Sequence, residues 1–189
     1  MKRALIVVDV QRDFCEGGAL AAADTLSLLD PLRACIAAAR QANIKIVFTQ
    51  DWHPPHHSSF RSEGGPWPMH CVAGSYGAEI MAPLAPEKAD MVTRKGTTVE
   101  GAGYSGFDST PLAQQLKSLG VQEVAVCGVA TEYCVRATAL DGASAGFRVA
   151  VLTDLIRPVD PSAVEPTLQE LEAHGIECTE AHRWLTAPE

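Results

Sequence analysis

The chain has 189 residues, 47% hydrophobic and 20% charged, with 15 basic against 23 acidic residues and a net charge of -8. That length suits one domain, spanning 1–189, with a core of its own. The acidic balance argues against a nucleic-acid partner, whose phosphates call for a basic surface, and no run nears the roughly 18 apolar residues of a membrane span.

Met1-Lys2-Arg3 is followed by only five apolar residues before Asp9, too few for a signal peptide. The six cysteines (15, 35, 71, 127, 134 and 178) contain no CxxC pair. Neither a zinc ribbon nor a thioredoxin motif is present, and the thiols read as those of a cytoplasmic protein.

In chain order, Ala4-Leu5-Ile6-Val7-Val8 is a continuous β-branched run, as expected of a strand buried in a parallel sheet. It ends on Asp9, followed by Val10-Gln11-Arg12-Asp13-Phe14. Asp24 or Thr25 is expected to cap a helix running to about Asn43, with Leu26, Leu29, Leu32, Ile36 and Ala39 along one face. Strands follow at 44–49, 91–93, 123–127 and 148–152, separated by helical segments near 109–119, 131–145 and 161–173. Alternating strand and helix predicts a doubly wound parallel α/β sheet with helices on both faces and right-handed crossovers.

In such a sheet, ligands bind beyond the carboxyl ends of the strands. Asp9, Asp51, Lys95 and Cys134 each lie just after a different strand. Cys134 falls in Gly128-Val129-Ala130-Thr131-Glu132-Tyr133-Cys134, between a strand and the first turn of a helix, where free N–H groups and the helix dipole favour a thiolate. Taken alone, it fits a buried core cysteine as well. A carboxylate, an ammonium and a thiol at neighbouring strand ends together suit nucleophilic chemistry.

The segment 51–77 is long for a loop inside a compact domain, which favours a functional role. It carries four of the six histidines. Asp51 and His53 project to the same side of an extended backbone. With His70 on the returning arm they would form a two-histidine, one-carboxylate site with open positions, suited to one divalent ion: Zn²⁺ first, with Fe²⁺ or Mn²⁺ fitting the same donors. His57 and His56 are contenders. His57 lies four residues beyond His53 across Pro54-Pro55, which restricts the loop's return and favours a place beside the metal over direct ligation.

The ordered set Val8-Asp9-Val10-Gln11-Arg12-Asp13-Phe14, Asp51-Trp52-His53, Trp67-Pro68-Met69-His70-Cys71, Arg94-Lys95-Gly96, Tyr104-Ser105-Gly106-Phe107 and 128–135 resembles the nicotinamidase/pyrazinamidase group of the isochorismatase-like cysteine hydrolase superfamily. The resemblance runs from residue 4 to about 154. It implies a Rossmann-like three-layer sandwich and an Asp9–Lys95–Cys134 triad, with Cys134 the nucleophile and Asp9 the proton carrier. It further implies a cis peptide at Val129-Ala130, and an oxyanion hole from the N–H groups of Ala130 and Cys134. Phe14, Trp67, Tyr104, Val129 and Ala130 would surround the substrate, nicotinamide, whose ring nitrogen the metal would bind. Three other readings remain: a vinyl-ether-cleaving relative, a carbamoyl hydrolase, and a non-catalytic metal-binding protein on the same fold. Nothing in the residues decides between a monomer and a homo-oligomer.

Overall fold

A computed structural model describes residues 1–187. Six strands form one parallel sheet: β1 (Lys2–Val8), β2 (Lys45–Asp51), β3 (Met91–Lys95), β4 (Val121–Val129), β5 (Arg148–Arg157) and β6 (Glu177–Thr179), in the order β3-β2-β1-β4-β5-β6. The helices are α1 (Thr25–Gln41), α2 (Leu112–Ser118), α3 (Arg136–Ser144), α4 (Val164–Ala173) and α5 (Ala181–Thr186). The expected doubly wound sheet is therefore present.

The sheet separates two hydrophobic cores, and strand alternation decides which side chain serves which. Leu5 and Val7 of β1 face a core closed by Leu28, Leu32 and Ile36 of α1 and Trp184 of α5. Ala4, Ile6 and Val8 face the other, closed by Leu112 and Leu116 of α2, Ala139 of α3 and Leu171 of α4. Residues 4–8 are all fully buried, which is why the run reads apolar without alternation. Burying each large aliphatic side chain contributes roughly 1.5–3 kcal/mol.

Several local expectations need correction. Neither Asp24 nor Thr25 caps α1 through its side chain; Asp24 sits in the left-handed region and its carboxylate accepts from Ser27. The N-terminal amide of Leu26 instead donates to Glu16 Oε2 at 2.9 Å, and that carboxylate also accepts from the Thr25 hydroxyl. Leu26 is 53% exposed, and the buried stripe runs through Leu28 instead. The helix expected at 131–145 is divided: Thr131–Val135 is a wide π-type turn, and α3 begins only at Arg136. β5 continues past Asp154, whose carboxylate accepts the Ala181 N–H at 2.8 Å at the start of α5. The short, polar β6 and α5 carried no pattern long enough to announce them.

The chain winds outward from β1 to β2 and β3, then returns across β1 to β4, so the strand order reverses between β1 and β4. A crevice opens there at the carboxyl ends. Gly128 makes the junction close enough: its φ is +112°, and a Cβ at this position would lie 2.2 Å from the carbonyl oxygen of Val8. Gly128→Ala must therefore move the strand or strain the backbone, at a cost of about 1–3 kcal/mol or more. A urea unfolding curve should show that loss, and an unchanged midpoint would contradict the close approach of β1 and β4.

Candidate active site

Four strand ends deliver four polar side chains to one buried point. The register of β2 and β3 sets Asp51 directly beside Lys95. Asp9 follows β1 at φ 49°, and Cys134 rises from the turn after β4. The side chains of Asp9 and Lys95 are completely buried, and that of Asp51 nearly so.

Lys95 Nζ lies 2.7 Å from Asp9 Oδ2 and 2.5 Å from Asp51 Oδ1. It donates to Asp51 Oδ1, to the Gly103 carbonyl at 2.9 Å and to Cys134 Sγ at 3.4 Å. An ammonium has three protons, so these bonds use all of them. Asp9 Oδ2 therefore meets Lys95 as a buried ion pair at 2.7 Å and has no further aligned donor. Its partner Oδ1 accepts from the Thr49 hydroxyl at 2.7 Å. The carboxylate of Asp9 also stands beside a thiol: one donor atom each of Asp9, Asp51 and Cys134 lies within 4.8 Å of the others.

Burial and Asp51 push the Asp9 carboxyl above its ordinary value, against the pull of Lys95. Burial pushes Asp51 the same way, but Lys95 and His53 outweigh it and hold that carboxyl well below the usual range. Lys95 stays protonated because the two carboxylates overcome its desolvation. Burial raises the Cys134 thiol well above its normal value; Lys95 opposes this, while Asp9 and Asp51 reinforce it. The thiolate expected from a helix start is therefore not the favoured resting state. Two nearby carboxylates and full burial overcome the helix terminus.

Asp51, His53 and His70 also converge, with one donor atom from each inside 4.8 Å, and all three residues are buried. His53 Nδ1 meets the Gly96 carbonyl at 2.9 Å and His70 Nδ1 the Pro68 carbonyl at 2.7 Å. These contacts make Nδ1 the donor in each ring and leave Nε2 for a metal; His53 Nε2 lies 3.3 Å from Asp51 Oδ2. Burial lowers the pKa of His70, keeping its lone pair available. Two imidazoles and a carboxylate fit a divalent metal ion.

His57 is fully buried rather than solvated, and its ring centroid lies 4.0 Å from that of His53. Its Nδ1 accepts the Ser59 N–H at 3.2 Å and meets the Ser59 hydroxyl at 2.7 Å. Burial and His53 push its pKa down to about 4. It stands beside the donor group but is not among the three converging residues. His56 is exposed and faces Glu63 at 3.1 Å, away from the site.

A pocket of about 430 Å³, mouth included, opens over this centre. Phe14, Trp67 and Tyr104 line it as expected, with Ala130 and Cys134 at its base. Trp67 Nε1 donates to the Tyr104 hydroxyl at 3.0 Å, fixing the two rings together. Val129 does not line the pocket: its side chain is buried in the core beneath. The Val129-Ala130 peptide is cis, as expected. Unforeseen in the sequence were Leu20 and Val159 on the wall, and Tyr133, which packs edge-on to Trp67 at 5.0 Å. Tyr133 directly precedes Cys134, a position that was itself a signal. Leu20 and Val159 come from connections that show no periodicity.

The isochorismatase domain model matches residues 3–183. A nicotinamidase/pyrazinamidase of Mycobacterium tuberculosis is 38% identical over 93% of this chain and 97% of its own length. A crystal structure of the pyrazinamidase of Pyrococcus horikoshii in complex with zinc superposes with a TM-score of 0.92 at 42% identity, covering 95% of this chain and 99% of that one. A structure of PnC1 from L. infantum in complex with nicotinate gives 0.88 at 39% identity, covering 96% and 93%.

Removing the charge of Asp9 removes a group that raises the thiol, so Asp9→Asn should bring the alkylation midpoint of Cys134 down in pH. Amide hydrolysis should nonetheless fall by roughly 10²–10⁴-fold, the usual contribution of a proton carrier. Mass-spectrometric labelling across pH reads the first effect, and an unmoved or higher midpoint would count against the contact. His53→Ala and His70→Ala should each purify without metal, whereas His57→Ala should retain it. Metal analysis of a fully loaded His70→Ala protein would discard this donor set.

Proposed function

The chain belongs to the isochorismatase family, and from that membership we propose that it is a nicotinamidase, hydrolysing nicotinamide to nicotinate and ammonia, and pyrazinamide likewise. The observation that carries this reading is the buried carboxylate of Asp9 beside the thiol of Cys134, with Lys95 in contact with both.

Cys134 Sγ attacks the carboxamide carbon while Asp9 Oδ2 takes the thiol proton. The raised pKa of Asp9 suits a group that must hold that proton and then release it. Negative charge gathers on the amide oxygen, where the N–H groups of Ala130 and Cys134 would receive it. Collapse breaks the C–N bond, Asp9 hands its proton to the departing ammonia, and an acyl-cysteine remains. Water then attacks the thioester as Asp9 accepts a proton. The acid leaves and the thiol is restored.

Asp51, His53 and His70 would hold a divalent ion, zinc in our assignment, which when bound supplies Lewis acidity for a ring nitrogen. Phe14, Trp67 and Tyr104 line a mostly apolar pocket suited to an aromatic ring. The donor loop favours this substrate class over vinyl ethers or ureido compounds, which offer no ring nitrogen to a metal. Among the described residues no helix is long and apolar enough to cross a membrane. The six unpaired cysteines fit a reducing compartment, so we assign the enzyme to the cytoplasm and to the salvage of nicotinamide for NAD.

Ammonia release from nicotinamide should be readily measured, be lost with a strong chelator and return with zinc. Cys134→Ala should lower it by roughly 10⁴–10⁶-fold, as for other nucleophile deletions. Turnover confined to ureido compounds would overturn the assignment.

A further inference from the structure

Within Asp9–Phe14 the mechanism uses Asp9 and Phe14 but leaves Gln11 and Asp13 without a task. Gln11 is fully buried, and its amide is saturated. Its Oε1 accepts the N–H of Asp51 at 2.8 Å, and its Nε2 donates to the Asp51 carbonyl at 2.9 Å and the Ala78 carbonyl at 2.9 Å. The reason lies in the sheet. β1 pairs with β2 only as far as Val7 and Phe48, so Asp51 has lost its neighbour on that edge. Its buried N–H and C=O still need partners, and one side-chain amide replaces the missing strand.

Asp13 does the corresponding work on the other arm of the loop. Its Oδ2 accepts the N–H of Cys71 at 2.7 Å. Cys71 directly follows His70, lies in the left-handed region at φ 46°, and accepts the His53 N–H on its own carbonyl at 3.0 Å. One residue thus links both imidazoles to the carboxylate of Asp13. Gly77 leaves the space: a Cβ there would sit 2.1 Å from Asp13 Oδ2.

We propose that Gln11 and Asp13 are positioning residues for the metal donors, Gln11 clamping the main chain of Asp51 and Asp13 fixing the left-handed turn from which His70 and His53 are aimed. The proposal rests on the reading that Asp51, His53 and His70 hold a divalent ion, and it extends that reading to how the donors are kept in place. One short segment then sets both the proton carrier and the metal site. A shift of either arm would be felt by both.

The test is zinc affinity, measured by competition with a chromophoric chelator. It is read alongside the thermal unfolding of the metal-stripped proteins and the alkylation of Cys134. Gln11→Glu, which turns a donor into an acceptor facing two carbonyls, and Asp13→Ala should each weaken zinc by roughly 10–100-fold, the usual effect of losing a group that orients a ligand. Asp13→Asn retains an oxygen for the Cys71 N–H and should stay near the native affinity. Gly77→Ala, which displaces the carboxylate without deleting it, should resemble Asp13→Ala and carries the test if that variant does not fold. A purely structural role would lower the unfolding temperature and leave the zinc affinity of the folded protein unchanged. Native affinity in Gln11→Glu together with Asp13→Ala or Gly77→Ala overturns the proposal. Native protein that binds no zinc would instead sink the metal-site reading beneath it.

Discussion

The ammonium of Lys95 is the interaction on which the site's architecture depends. A lone charge in a fully buried position is prohibitive, and breaking a buried ion pair by removing one partner typically costs about 3–5 kcal/mol. Lys95 is held because Asp9 and Asp51 arrive from two other strands, within 2.7 and 2.5 Å. Each carboxylate in turn is tolerable only because Lys95 is there. Three strand ends are thereby locked to one another, and Cys134 is added from a fourth.

The same ammonium divides two carboxylates of identical chemistry into different tasks. Asp51 gains a direct hydrogen bond from Lys95 and a contact with His53, which hold its carboxyl well below the usual range. Asp9 meets the same charge as an ion pair and is driven upward by its burial and by Asp51. On the proposed reading, environment and not residue type would make one a ligand and the other a proton carrier.

Much of this was legible in the chain because buried parallel strands write their apolar runs plainly, and a polar residue just beyond such a run is conspicuous. Asp9, Lys95 and Cys134 were found in that way, and Asp51, His53 and His70 by donor chemistry on a long loop. What escaped was decided by tertiary contact. Glu16 reaches the start of α1 from outside it, so no local capping pattern could name it. The upward push on the thiol has the same origin: the helix start is a local feature, whereas the carboxylates opposing it come from residues 9 and 51. Gln11 and Asp13 carry no local signal of the main chain they hold, which belongs to residues 51 and 71.

A cysteine kept protonated at rest has a bearing on chemical durability. Peroxides and disulfides are attacked by thiolates, and thiols react with them slowly. Enzymes that store a standing thiolate keep their nucleophile ready but expose it to every passing oxidant. Here burial and two carboxylates push the thiol of Cys134 well above its normal value, against the pull of Lys95. On the proposed assignment of Cys134 as nucleophile, a site built around a soft, oxidisable atom gains a measure of chemical silence between encounters.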